Sequence, residues 1–276
     1  MIKLTPVRSE KVWGYEDWIA STHPDGAQKE FIELVKDYPL LVKIIQANDT
    51  LSVQVHPNDE TAAKLEGPDA VGKTECWFVL DAAPDARLIS GLNGNYSKEQ
   101  MADAIARGKT ETLLNSISVK KGDFIFIPAG TVHAIGGGLR LLEVQQNCNI
   151  TYRLYDWGRP REIHVEKALT SIVESGKNVK TEASVAPLTD FSCEYFELHK
   201  KDVKGGYSYI NLDKNTVQLL YIYSGLPVLH ALDQKAQKTQ KSTSVCAKPE
   251  EIYAVPYGEK ITVEGTASVI RIIPRR

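Results

Sequence analysis

Gly122-Asp-Phe-Ile-Phe-Ile-Pro-Ala-Gly-Thr-Val-His133 decides how the rest of the chain is read. Phe124 to Ile127 is a short apolar run of strand-forming residues. Pro128-Ala129-Gly130 ends it: proline withdraws a backbone donor, and glycine accepts the backbone angles a tight turn requires. His133 follows three residues after Gly130, so an imidazole is delivered just beyond a rigid strand and turn.

Partners for that imidazole lie upstream. Leu51 to His56 (LSVQVH) alternates apolar and polar residues. With a strand period of two, Val53 and Val55 face one way, and Ser52, Gln54 and His56 the other. Gln54 and His56 could therefore chelate one ion from a stiff backbone. Glu75 stands in Gly72-Lys-Thr-Glu-Cys-Trp77, at the mouth of the next strand. Two histidines and a carboxylate from separate strands suit Zn²⁺ or another divalent first-row metal. A Gln54 carbonyl as fourth donor leaves a position open for water or substrate. One divalent ion per chain is the expectation.

Further strands are expected at Leu40–Gln46, Cys76–Leu80, Arg140–Val144, Gln218–Tyr223 and Ser268–Ile273. Helices are expected at Ala27–Lys36, stopped by Pro39, and at Lys98–Arg107, opened by a Ser97 capping box and closed by Gly108. A third is expected over residues 162–174. The polar, weakly patterned residues 174–187 read as a linker between a first domain, 1–173, and a second, 188–276. The second echoes the first: Gly122–Gly130 resembles Glu250-Glu-Ile-Tyr-Ala-Val-Pro-Tyr-Gly258, and where one copy has His133 the other has Ile261. That pattern expects a degenerate second β domain without its metal ligand.

Composition narrows the function classes. A net charge of -2 gives no general pull toward nucleic acid or a membrane, so any basic site must be local. No apolar run reaches the roughly 18–20 residues of a membrane helix, and the N-terminus has no signal-type apolar segment. A cytoplasmic location is the expectation. Cys76, Cys148, Cys193 and Cys246 are far apart and form no C-x-x-C pair, so neither a disulfide framework nor a structural zinc site is expected.

Gly122-x5-Pro128-x-Gly130-x2-His133 fits the second motif of the cupins, small double-sheet jelly-roll barrels. The first cupin motif is altered, with Gln54-Val55-His56 in place of His-x-His and the glutamate displaced to Glu75. In this altered form the chain resembles the type I mannose-6-phosphate isomerases, in their short bacterial form. The matching runs are Pro39 to Ile45, Leu51 to Glu60, Gly72 to Trp77, Gly122 to Gly136, and Glu143 to Asn147 with Thr151 to Asp156. The resemblance implies a mostly β fold of two cupin-like jelly-roll barrel units, with a few helices inserted in and around the first. It implies metal ligands at Gln54, His56, Glu75 and His133, and Arg153 in the active site. Lys43 and Ser52 match the phosphate contacts, and Lys73 and Glu143 match further polar residues of the pocket. The implied reaction interconverts mannose 6-phosphate and fructose 6-phosphate.

Such chemistry moves a proton between C1 and C2. It needs a base, for which Glu143 and Lys73 are both candidates, and an oxyanion stabiliser, a role open to Arg153. Simpler readings stand beside these. Lys43 could snorkel at a strand edge, Arg153 could pair with Asp156, and Glu143 could pair with Arg140 or Arg153. His23, His164, His199 and His230 belong to no motif and read as structural or surface residues, and Trp13 and Trp77 as core. The segment between Trp13-Gly14 and Glu16-Asp17-Trp18 is shorter than in the family, which bears on substrate fit. Competing functions are a non-catalytic sugar-phosphate-binding cupin and a two-His, one-carboxylate metal oxygenase, whose open positions Gln54 would reduce. Glucose 6-phosphate is the competing substrate, since it gives the same ketose.

Overall fold

The computed structural model describes residues 1–172, 185–214, 216–233 and 242–275. It divides into two compact units. One comprises Arg8–Trp18 and Leu41–Pro187; the other comprises Met1–Val7, Ile19–Leu40 and Leu188–Arg276. Residues 1–7 and 19–40 thus group with the C-terminal stretch, whereas the sequence reading placed them in a first domain ending at 173. The expected linker lies outside the described residues up to 184; beyond it, Ala186–Pro187 pairs with Phe124 and Asp123.

Strands dominate. A seven-stranded sheet runs in the order Ala186–Pro187, Asp123–Ile127, Glu75–Ala82, Leu139–Gln146, Leu40–Ala47, Gly14–Ala20, Val7–Lys11. A five-stranded sheet runs Tyr152–Tyr155, Val53–Val55, His133–Ile135, Arg87–Leu92, Leu114–Ser118. The expected mostly β, cupin-like fold is formed, with open sheets rather than closed barrels. The edge at Ala186–Pro187 shows one reason: it is two residues long, and its proline lacks the donor that would extend the ladder.

Alternation along the strands sorts the core. Ile45, Trp77, Val79, Ile125, Ile127, Leu139 and Leu141 from the seven-stranded sheet meet Leu88 and Ile135 from the five-stranded one in a single buried cluster. Val53, Val55, Ala134, Tyr152 and Leu154 occupy the opposite face of the five-stranded sheet. There they pack with Met101 of the helix Lys98–Ala106 and Ala168 of Val165–Ser171. Ser97 caps the first of these helices in the expected box, accepting from Gln100 N–H while the Gln100 side chain accepts from Ser97 N–H. A helix at Asp59–Glu66 was not anticipated. Only Ala62 of it is fully buried, so it shows no apolar stripe, but Asn58 caps it by accepting from Thr61 N–H at 2.8 Å.

Candidate metal centre

The side chains that carry chemistry are the polar ends of the two inner faces. Lys43, Ile45 and Ala47 share one face of their strand, and so do Glu75, Trp77 and Val79 of theirs. Glu143 lies opposite Trp77 in register, on the face that also carries Leu141. On the five-stranded sheet Arg153, Gln54, His133 and Ser90 are aligned in one row across four strands. Apolar packing fixes both faces, and the functional groups project from that packed base.

His56, Glu75 and His133 converge with their ligand-type atoms all within 4.8 Å of one another. Each is at most 1% exposed. Glu75 Oε2 lies 3.6 Å from His56 Nε2, and Glu75 Oε1 lies 3.3 Å from His133 Nε2. Both imidazoles are oriented from behind: His56 Nδ1 donates to the Ile150 carbonyl at 2.8 Å and His133 Nδ1 to that of Thr131 at 2.9 Å. That fixes the tautomer which leaves both Nε2 lone pairs pointing into the cluster, the usual outer support of metal-bound histidine. Burial lowers the basicity of both rings, and the Lys73 ammonium adds to the effect: His133 falls to about 4, and His56 also falls well below its ordinary value. Both are therefore neutral imidazoles at neutral pH, the form in which a histidine can bind a metal.

The donor set fits a divalent ion. Glu75 Oε1 is buried and has no hydrogen-bond partner among the described residues. Such an atom costs stability unless a cation satisfies it. Burial pushes the Glu75 carboxyl up to about 7, and Lys73, bonded to Glu75 Oε2, opposes that rise. The Gln54 amide nitrogen is 3.3 Å from His133 Nε2, and its oxygen accepts from Ser52 Oγ at 3.4 Å. Turned over about its last bond, the amide would present its oxygen to the cluster and its N–H to Ser52.

Lys73 stands in this ring, its Nζ 3.0 Å from His56 Nε2. Burial disfavours its charge, but Glu75 and Glu143 more than compensate and hold the ammonium at about 12. The backbone that delivers it is tightly confined. A Cβ at Gly72 would stand 2.6 Å from the Asn58 carbonyl carbon, so only glycine lets Lys73 and Glu75 approach the helix at Asp59.

Glu143 pairs with neither Arg140 nor Arg153. Trp77 Nε1 donates to its Oε2 at 2.9 Å, and Lys43 Nζ lies 3.4 Å from its Oε1. Burial would raise its carboxyl, but Lys73 and Lys43 outweigh burial and hold it below the ordinary value. Lys43 is 3% exposed and does not snorkel; it lies between Glu143 and Glu16. Asp156 bonds Arg159 and Arg161, leaving Arg153 without a carboxylate among the described residues. Arg153 Nη1 donates to the Glu162 carbonyl at 2.6 Å, while its buried Nε has no partner.

Beside the cluster of His56, Glu75 and His133 lies a cavity of about 130 Å³; Gln54 and Lys73 connect the two, and the three cluster residues are not in its lining. Of the residues singled out from sequence, Lys43, Ser52, Gln54, Lys73, Glu143 and Arg153 border it. Lys11, Glu16, Asn149, Thr151 and Arg161 also border it and were not anticipated. Lys11 ends an edge strand and Asn149, Thr151 and Arg161 lie in loops, where no periodicity marks a side chain's direction; Glu16 lies within the strand Gly14–Ala20, in the shortened tryptophan segment, and Thr151 opens one of the runs that match the family. Five cations (Lys11, Lys43, Lys73, Arg153, Arg161) face two carboxylates (Glu16, Glu143), so the cavity is locally basic in a chain of net charge -2. No group able to hold a metal includes His23, His164, His199 or His230 among the described residues. None of the four cysteines is in a disulfide.

Residues 2–81 match the phosphomannose isomerase type I catalytic-domain family. The probable mannose-6-phosphate isomerase GmuF of Bacillus subtilis is 34% identical over 252 residues, covering 73% of this chain and 79% of that protein. The chain belongs to the type I mannose-6-phosphate isomerase family. Mannose-6-phosphate isomerase ManA of B. subtilis is 43% identical over 183 residues, a stretch that spans 62% of this chain and 58% of ManA. Among solved structures, the mannose 6-phosphate isomerase from B. subtilis superposes with a TM-score of 0.80 at 27% identity, covering 98% of both chains. A type I isomerase fold therefore extends over both units, beyond the residues that carry the sequence match.

Proposed function

We propose that this chain is a metal-dependent aldose–ketose isomerase interconverting mannose 6-phosphate and fructose 6-phosphate in the cytoplasm. The observation that carries the reading is one cavity bordered by Arg153, which has no carboxylate partner among the described residues, and by a surplus of cations; two of its lining residues, Gln54 and Lys73, touch the buried cluster of two neutral imidazoles and a carboxylate. A sugar phosphate supplies both the anion and the oxygens such a cavity would engage. The ion we assign is zinc, held by His56, Glu75 and His133 with the Gln54 oxygen. When bound it supplies Lewis-acid and templating chemistry at the sugar oxygens.

The chain's own groups divide the remaining work. Glu143 is the base: its carboxylate is held ionised by Lys73 and Lys43, so it can take the C2 proton and return it to C1. Lys73 stays an ammonium and donates to oxygen rather than abstracting a proton. Arg153, with a free Nε, faces the negative charge that develops on the enediolate. Ser52 and Lys43 orient the phosphate end.

A coupled assay for fructose 6-phosphate tests the reaction. Turnover is expected to disappear on chelation and return with Zn²⁺. A chain that keeps full turnover after complete metal removal would overturn the reading. Glu143→Gln is expected to keep metal and lose about 10²–10⁴ in kcat. A loss of that size in Lys73→Met, with Glu143→Gln active, would move the base to Lys73.

A further inference from the structure

The sequence echo between 122–130 and 250–258 extends into hydrogen bonds and registers, at an offset that is constant within a strand and differs between strands. Gly122 and Glu250 both have positive φ (90° and 69°), and so do Gly130 and Gly258 (85° and 84°). Gly130 N–H bonds the His56 carbonyl and Gly258 N–H that of Asn211, both at 2.8 Å. Glu75 lies opposite Ile127, and Gln218 opposite Val255. Gln54 lies opposite His133, and Tyr209 opposite Ile261. Glu143 lies two residues along, opposite Trp77; Arg271 likewise lies opposite Leu220.

Position by position, the metal centre of the first unit thus has a counterpart inside the second. Gln54 becomes Tyr209, His56 becomes Asn211, Glu75 becomes Gln218, His133 becomes Ile261, and Glu143 becomes Arg271. Both carboxylates are gone and a guanidinium has replaced one of them, so the sign of the site is reversed.

The replacement residues form a cluster. Arg271 Nη2 donates to Gln218 Oε1 at 3.0 Å, Nη1 donates to the Tyr207 hydroxyl at 3.3 Å, and the guanidinium carbon lies 4.1 Å from the Tyr209 ring centre. Tyr207 and Tyr209 are far from Arg271 along the ladder. They reach it because the long strands Phe196–Ile210 and Glu259–Pro274 bend at Gly205 and Gly265, which face each other in register at φ 98° and 109°. Arg271 has no carboxylate among the described residues, and only two of its five donors are used. Its Nε is buried without a partner, and so is the Tyr209 hydroxyl, in a residue 8% exposed. Glu259, whose charge acts on Tyr209, is engaged by the Met1 amino group.

An unpaired arginine with two tyrosines and two orphaned polar atoms calls for an acceptor-rich anion. We infer that the second unit binds a small oxyanion, a phosphate or a carboxylate, at Arg271, Tyr207 and Tyr209, in the place its counterpart gives to a metal.

Equilibrium dialysis of the full chain against labelled inorganic phosphate, with acetate as competitor, tests this. Arg271→Met is expected to bind one phosphate fewer than the wild type. Tyr209→Phe, which removes a single oxygen, is expected to weaken that phosphate at least about tenfold. Displacement by acetate would identify a carboxylate site, and resistance to acetate a phosphate site. Should Arg271→Met fail to fold, Tyr209→Phe still decides. Phosphate binding in Tyr209→Phe equal to the wild type in number and affinity would overturn the assignment, leaving the cluster as a solvated strut.

Discussion

His133→Ala is expected to release the bound metal and abolish isomerase turnover together. His133 contributes one of only two imidazoles to the cluster, and its Nδ1 is committed to the Thr131 carbonyl. Loss of an outer partner to a metal-bound histidine already costs about 10–100-fold in affinity or activity, and loss of the ligand itself should cost more. The fold should survive, because the alanine replaces a side chain at the polar end of the inner face, outside the apolar cluster of Trp77 and Ile135. Metal content by elemental analysis, read beside the coupled assay, checks this. A variant with one ion per chain and normal turnover would remove His133 from the ligand set.

Arg153→Ala should behave differently: metal and fold retained, kcat reduced by about 10²–10³, the usual cost of removing one preorganised donor from a developing oxyanion. The guanidinium has no carboxylate among the described residues, so its removal leaves no buried acid uncompensated. A drop in kcat with little change in KM would mark an interaction made in the transition state. A rise in KM alone would instead make Arg153 a binding residue.

The sequence was most readable where backbone periodicity dictates side-chain direction. Gln54 and His56 could be assigned to one face because Val53 and Val55 had to occupy the other, and burial of both valines agrees. The Pro128–Gly130 turn placed His133 for the same reason: its geometry is set by residue type. Pairing was less readable. Arg153 and Asp156 suggest an ion pair three residues apart, yet Arg159 and Arg161 take the carboxylate. Which cation wins depends on how the chain turns at Trp157, a non-glycine residue at φ 55° that no pattern announced. Open sheets also lay beyond the sequence. A jelly-roll resemblance predicts which strands exist, whereas closure depends on the outermost ones, and Ala186–Pro187 is too short to show as a strand signal. In the second unit, motif reading stopped at the absent histidine. Its polar cluster becomes visible only when strands bent at paired glycines bring residues 207, 209, 218 and 271 together.

His56 and His133 are presented by the five-stranded sheet, and Glu75 by the seven-stranded one. An ion held by all three would therefore be a cross-link as well as a reagent, fastening one wall of the sandwich to the other at the end where apolar packing stops. Any binding free energy that favours the native arrangement over the unfolded chain is added to its stability, in proportion to the logarithm of free metal over its dissociation constant. Metal supply would then set how long the protein lasts as well as how fast it turns over, and starvation for the ion would loosen the sandwich first at its catalytic end.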